Sequence, residues 1–278
     1  MNYFKPVTRC TGKLFRATIS VAFFSLFALA LSETAAAQGR QSPIDIVLDQ
    51  TVAAPLPQIV SNYLVSTVTV VHTFDPSASP IVPKEFSTLR VNVPAGSFVT
   101  LNGVIYDLLQ FHFHTPSEHT VNSRYAPMEI HFVHLKRNAC LGDPDALLVI
   151  GAGIYYGFEN RELNKIFGLP LPVDSTSPAL SIANFNLANV LPNLESSWRY
   201  PGSLTAPSNV GCNNPAGSVS VKLASDVFPE NDSLVVLTKP IFMSRRQIRK
   251  FQVLLDAFGN SRPTQLLNGR TVFRDQFN

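Results

Sequence analysis

Five of the six histidines, His112, His114, His119, His131 and His134, fall between positions 112 and 134. In the run Leu109-Gln110-Phe111-His112-Phe113-His114 a β-strand would alternate its side chains, so that Gln110, His112 and His114 share one face and Phe111 and Phe113 the other. A second alternating run, Met128 to His134, puts Glu129, His131 and Val133 on one face and sends Ile130, Phe132 and His134 to the opposite one. Pairing the two strands brings a third imidazole beside the first two. Three neutral imidazoles and an open fourth position are what a catalytic zinc site needs, because the metal can then bind and acidify water. Gln110 precedes His112 by two residues and Glu129 precedes His131 by two, each on its ligand's face. Each can accept the proton of its neighbour's second ring nitrogen and fix the tautomer.

The elements that must position these groups read as mainly β, largely antiparallel. Leu89 to Val93 alternates, and Phe98 to Leu101 and Val104 to Ile105 flank Asn102-Gly103, the dipeptide of a tight hairpin. Helical signals are fewer. Ser244-Arg245-Arg246-Gln247 has the form of a capping box ahead of Ile248, Phe251, Leu255 and Phe258 at helical spacing, and Ile182 to Val190 reads as a second short helix. Pro-rich connections at Pro76 to Pro83 and Pro207 to Pro229 read as long surface loops.

Of the 22 Lys+Arg and 19 Asp+Glu residues, four basic ones and one acidic one precede position 38, and eighteen of each sign remain. A neutral body excludes the basic surface of a nucleic-acid-binding protein. The early excess belongs to a positive stretch ending at Arg16, followed by the apolar run Ala17 to Leu31 and by Ala35-Ala36-Ala37. This pattern predicts a secretory signal over 1–37, cleaved before Gln38, and a product exported to a periplasm or secreted. No later stretch is apolar for long enough to cross a bilayer, so no transmembrane domain is expected after cleavage. Residues 38–278, without repeat, charge block or long linker, are read as one domain. The cysteines of that domain are Cys140 and Cys212, which an oxidising compartment allows to pair or to remain two thiols.

These residues carry a resemblance to the α-class carbonic anhydrases. Gln41-Ser42-Pro43-Ile44-Asp45-Ile46 is similar to that family's N-terminal signature. Gln110 to His114, Ser117 to Val121 and Glu129 to His134 resemble its zinc-binding core in the form seen in bacterial and algal members. Tyr200 to Pro207 resembles the gatekeeper segment, and Asn260 to Gln265 with Asn268-Gly269-Arg270 the C-terminal signature. The motifs run in the family's order along the whole mature chain. The resemblance implies an α+β domain around a large, mostly antiparallel twisted central sheet with a few short peripheral helices.

It also implies roles. His112, His114 and His131 become ligands of a Zn²⁺ cofactor, supported by Gln110, Glu129 and a backbone carbonyl near Asn260 that holds His114. The implied reaction is reversible hydration of CO₂ to bicarbonate and a proton, by attack of zinc-bound hydroxide. Thr205 would orient that hydroxide while donating its own proton to Glu118, and Val133, Val149 and Leu204 would wall an apolar pocket for the small-molecule substrate. His119 and His134 belong to the family motif as structural companions rather than ligands.

Departures from the family pattern qualify that expectation. The usual aromatic Trp-x-Tyr-x-Gly segment does not precede the first signature, and a family tryptophan appears as Leu234 after an insertion from Asn213 to Asp232. Thr is common where Ala206 stands, and Ser87 stands near the position of the proton-shuttle histidine. His72 lies in an expanded segment, Leu64 to Phe86. A competent but slower enzyme is therefore expected. In exported relatives a cysteine after the gatekeeper often pairs with one before the first signature; Cys212 holds the former place, and the resemblance makes Cys140 a replacement partner. Two other readings stay open here: an inactive relative serving as a binding module, and a cupin-like metalloprotein using His112-x-His114-x-x-x-Glu118, although the glycine of that motif is Tyr125. The sequence leaves oligomeric state undetermined.

Overall fold

Two strands with apolar residues on both faces form the middle of the protein, as expected of segments covered on each side. The computed structural model describes residues 41–73, 87–139, 146–191, 194–203, 232–255 and 259–275. In chain order the strands are β1 (Asp45–Ile46), β2 (Val52–Ala54), β3 (Ile59–Asn62), β4 (Val65–His72), β5 (Leu89–Asn92), β6 (Phe98–Leu101), β7 (Val104–His114) and β8 (Thr120–Val121). They continue as β9 (Arg124–Tyr125), β10 (Met128–Lys136), β11 (Leu147–Tyr156), β12 (Leu180–Asn186), β13 (Ser197–Gly202), β14 (Asp232–Met243) and β15 (Phe273–Asp275). The helices are α1 (Arg161–Phe167) and α2 (Arg245–Leu254).

Twelve strands form one sheet in the order β12-β4-β5-β7-β10-β11-β14-β13-β15-β2, with β6 joined to β7 and β3 to β6. The expected mainly β architecture is present, and most pairs are antiparallel, but β11 with β14 and β15 with β2 run parallel, so the sheet is mixed. A small second sheet joins β1, β8 and β9. Among the described residues no helix is long and apolar enough to cross a membrane.

The expected hairpin forms at Asn102-Gly103, both with positive φ (51° and 76°), as a tight two-residue turn requires. Helix α2 starts at the expected capping box: Ser244 Oγ accepts from Gln247 N at 3.3 Å while the Gln247 side chain accepts from Ser244 N at 3.0 Å. Its Ile248 and Phe251 are fully buried, and Leu255 follows them into the core; Phe258 lies outside the described residues. Helix α1, which the sequence reading did not include, is too short for a periodic signal, yet Asn160 caps it by accepting from Leu163 N at 2.9 Å.

Ile182 to Val190 is not a helix. It is strand β12 followed by a 3-10 turn, Leu187–Asn189. The register against β4 shifts between Ile182 and Phe185, and Asn184 has φ 54°. That irregularity leaves two core side chains three residues apart, and the spacing mimics a helix. The expected Pro-rich loops, Pro76 to Pro83 and Pro207 to Pro229, lie outside the described residues.

The sheet separates two cores. The larger holds Phe111, Phe113, Ile130, Phe132, Ile150 and Val235 with Leu163, Phe167 and Phe251 of the helices. The smaller, on the other face, holds Ile44, Ile46, Val133, Val149, Tyr200, Leu234 and Val236. Each fully buried aliphatic or aromatic side chain contributes about 1.5–3 kcal/mol of transfer free energy.

His134 is buried on the larger-core side, as strand parity requires. Its Nδ1 stands 3.1 Å from the Phe132 carbonyl and 3.2 Å from that of Leu148, so it carries the proton. Its Nε2 therefore accepts from the Tyr63 hydroxyl at 2.9 Å. Burial pushes its pKa down from 6.5 to about 4. The unfolded chain protonates this group first, so its contribution is complete above pH 6.5 and is lost as pH falls toward about 4. We expect His134→Gln, which keeps a donor for the carbonyls and an acceptor for Tyr63, to remove a pH-dependent component of up to about 3 kcal/mol. Denaturant unfolding of both proteins at several pH values should show the wild type losing stability relative to the variant as pH falls from 6.5 toward about 4; a constant difference would contradict the assignment.

Candidate metal centre

Strands β7 and β10 pair antiparallel with His112 opposite His131, Gln110 opposite Val133 and His114 opposite Glu129. Beyond Val133 the register shifts, His134 facing Leu108, so that Leu109 is skipped. Three imidazoles consequently converge on the smaller-core face, with ligand atoms all within 4.8 Å of one another. Ring centroids lie 4.9 Å apart for His112 and His114, 4.8 Å for His114 and His131, and 5.4 Å for His112 and His131.

Each ring has one nitrogen already committed. His112 Nδ1 donates to Gln110 Oε1 at 2.9 Å, His114 Nδ1 to the Asn260 carbonyl at 3.3 Å, and His131 Nε2 to Glu129 Oε1 at 2.9 Å. What remains is Nε2 of His112, Nε2 of His114 and Nδ1 of His131. Among the described residues His114 Nε2 is buried with no hydrogen-bond partner, an unmet polar group of the kind a metal ligand presents. Burial first, then the neighbouring imidazoles, hold His112 well below the usual histidine pKa; burial also lowers His114. Burial opposes protonation of His131 as well, but the carboxylates of Glu129 and Glu118 outweigh it and raise its pKa. The donor set is thus two neutral imidazoles and one made more basic by carboxylates, which suits zinc.

Glu129 is fully engaged. Its Oε2 accepts from the backbone N of Glu118 and of His119, both at 2.8 Å, and its Oε1 accepts from His131 Nε2 and, at 2.7 Å, from His119 Nδ1. Despite burial, these imidazole partners hold its pKa well below the usual carboxylate range. His119, Glu129 and His131 also form a cluster of ligand-type atoms. The nitrogens that meet Glu129 there are spent on hydrogen bonds, which makes the cluster a polar network. It continues outward: His119 Nε2 meets the Tyr200 hydroxyl at 2.6 Å, which meets Ser42 Oγ at 3.0 Å, which accepts from Ser203 N at 3.1 Å.

Glu118 is completely buried. Its Oε1 accepts from Arg262 N at 3.0 Å, and its Oε2, 3.7 Å from His131 Nδ1, has no hydrogen-bond partner among the described residues. Thr205, its expected donor, lies outside them, as do Leu204, Cys140 and Cys212. Val133 and Val149 face each other across β10 and β11 in the smaller core, beside Leu234. Asn260 is pinned by three bonds of its side chain: Oδ1 accepts from Thr115 N at 2.9 Å, and Nδ2 donates to the carbonyls of Ser87 at 2.8 Å and Phe113 at 2.9 Å. His72 is buried on β4 opposite Leu89.

Residues outside the sequence-based site complete it. Gly151 lies opposite His131, where a Cβ would stand 2.9 Å from Glu129 Oε1 and 3.3 Å from the His131 ring, so only glycine leaves room for the pair. Arg270 donates to the carbonyls of Gln41, Pro201, Leu266 and Leu267 and stacks over Tyr200; Arg262 donates to Ser42 O and Gln41 Oε1. Neither Gly151 nor Tyr200's bond to His119 has a local spacing signal, because both depend on strands paired from distant parts of the chain.

The sequence and fold have counterparts among known proteins. Residues 30–213 match the family model for eukaryotic-type carbonic anhydrase. A carbonic anhydrase of Klebsiella pneumoniae is 30% identical over 235 residues, covering 84% of this chain and 78% of that protein. Human carbonic anhydrase 7 is 32% identical, covering 85% and 89%. Among solved structures, the α-carbonic anhydrase of Thermovibrio ammonificans in complex with sulfanilamide superposes with a TM-score of 0.67 at 31% identity, covering 84% and 87%. That of Photobacterium profundum gives 0.65 at 26% identity, covering 87% and 92%. A triad of imidazoles on paired strands, in a mixed twelve-stranded sheet with these relatives, places the chain in the eukaryotic-type, or α, carbonic anhydrase family.

Proposed function

We propose that this chain binds zinc through His112 Nε2, His114 Nε2 and His131 Nδ1 and catalyses the reversible hydration of CO₂ to bicarbonate and a proton. The observation that carries the reading is the set of committed nitrogens: three acceptors fix three rings so that their remaining nitrogens meet. Zinc held by three neutral imidazoles acidifies the water it binds to a pKa of about 7, which is the chemistry it supplies. Gln110, Glu129 and the Asn260 carbonyl keep the tautomers that leave the ligand nitrogens unprotonated. Glu118, anchored by Arg262 N, has an Oε2 without a hydrogen-bond partner among the described residues, where it would accept the proton of the Thr205 hydroxyl. Val133, Val149 and Leu204 exclude water from the side where apolar CO₂ enters.

Product formation releases a proton that must reach bulk solvent. All six histidines of the chain lie in the described part, none is exposed, and only the ligand His112 is even half-buried. Buffer must therefore carry the proton. Stopped-flow CO₂ hydration by purified, zinc-quantified protein tests both points: stoichiometric zinc with turnover rising about tenfold as buffer rises from millimolar to tens of millimolar is expected. A rate independent of buffer would overturn the shuttle argument, and activity without zinc would overturn the site.

The same reading includes export, with residues 1–37 removed and 38–278 forming the enzyme in a periplasm or outside the cell. The positive stretch, apolar run and Ala35-Ala36-Ala37 support it. In such a compartment Cys140 pairs with Cys212. Mass spectrometry of secreted material gives the new N-terminus, and two free sulfhydryls on denaturing, non-reducing thiol titration would reject the disulfide.

A further inference from the structure

Strands β11 and β14 end side by side on a surface that the metal centre does not use. Tyr155 lies opposite Phe242 and Tyr156 opposite Met243 in their parallel pair. Gly157 accommodates the Phe242 side chain, which a Cβ would approach to 2.9 Å. Phe158 is 94% exposed, Val253 69% and Phe242 51%. Four exposed arginines lie near the end of that pair: Arg161 at the start of α1, and Arg245, Arg246 and Arg249 on α2, where helical spacing puts them on one face with Val253. The Arg245 guanidinium is 4.9 Å from the Tyr156 ring centre. Arg161 is kept alongside because Asn160 N donates to Gln247 Oε1 at 3.1 Å and Gln247 Nε2 donates to the Asn160 carbonyl at 2.9 Å.

None of the four arginines forms an ion pair among the described residues. The acids close by in sequence are the exposed Glu159 and the buried Glu162, the latter engaged by Lys165 at 2.8 Å. The body has equal numbers of basic and acidic side chains, so this is a local concentration of charge on a neutral protein.

We propose that this face docks the protein on an anionic phospholipid bilayer, with the arginines at the headgroup phosphates and Phe158 and Val253 in the interface. Guanidinium forks match phosphate oxygens, and aromatic rings partition to headgroup depth. A soluble polyanion would engage the arginines but leave Phe158 in water. A twofold contact with a second copy would cover the aromatics but set the arginine cluster against itself.

The test is co-sedimentation of the processed protein, residues 38–278, with large unilamellar vesicles of phosphatidylcholine, alone or with about one-third phosphatidylglycerol. We expect binding to the anionic vesicles only, released by about 0.5 M salt. Arg246→Gln/Arg249→Gln should lower the partition at least about tenfold, near fivefold per charge removed. Phe158→Ser should weaken it separately, with CO₂ hydration and circular dichroism unchanged in both variants. Absent binding, equal binding to neutral vesicles, or indifference to both variants overturns the proposal. So does heparin binding that the arginine variant weakens and Phe158→Ser leaves intact, which marks a polyanion surface, or a dimer dissolved by Phe158→Ser without vesicle binding, which marks a self-contact.

Discussion

Replacing His112 by alanine is expected to leave purified protein with substoichiometric zinc and to lower CO₂ hydration by on the order of 10³-fold or more. The reason is geometric. Two ligands cannot complete the three-imidazole set, and His114 and His131 stay fixed by Asn260 and Glu129, so they cannot move to compensate. Gln110 Oε1 would lose its partner at 2.9 Å but sits where water can replace it, so the fold should survive. Zinc analysis alongside stopped-flow rates checks this. Wild-type turnover in the variant would show that the triad is not the catalytic centre, whatever its resemblance to one.

Glu129→Gln is expected to lower zinc affinity by 10- to 100-fold and to destabilise the protein by about 3–5 kcal/mol. The carboxylate takes two backbone N–H groups and two ring N–H groups in full burial. An amide offers one oxygen and two N–H groups, so at least one donor would point at a donor. His131 would also lose the carboxylate that holds its proton on Nε2 and keeps Nδ1 for the metal. The paired measurement matters: chelator competition reports the ligand effect, and denaturant unfolding of metal-free protein reports the network. A variant with normal zinc affinity but reduced stability would separate the two and contradict the tautomer role.

Much of this centre is legible in one dimension because strands alternate. The parity of Gln110, His112 and His114 and of Glu129 and His131 needs only local periodicity, and the structure pairs those runs in register. What parity cannot reveal is which distant strand lies alongside. Tyr200 reaches His119 across 81 residues and Asn260 reaches His114 across 146. Parity also fails where a strand is irregular, as at β12, where a shifted register made Ile182 and Phe185 look helical. The parallel pairs were invisible for a related reason, since parallel partners are joined by long connections that leave no turn signature.

The three ligand candidates lie within twenty residues of one another, as do Gln110 and Glu129, but the other groups that hold the centre do not. Glu118 is held by Arg262, His114 by Asn260, and the outer end of the Glu129 network by Ser42. During synthesis the imidazoles are therefore present long before the positions they must hold are enforced, and the centre is finished only when the two ends of the chain meet. Metal loading becomes a late event, and a chain ending before residue 259 would keep every ligand yet lack the carbonyl that orients His114 and the N–H that holds Glu118.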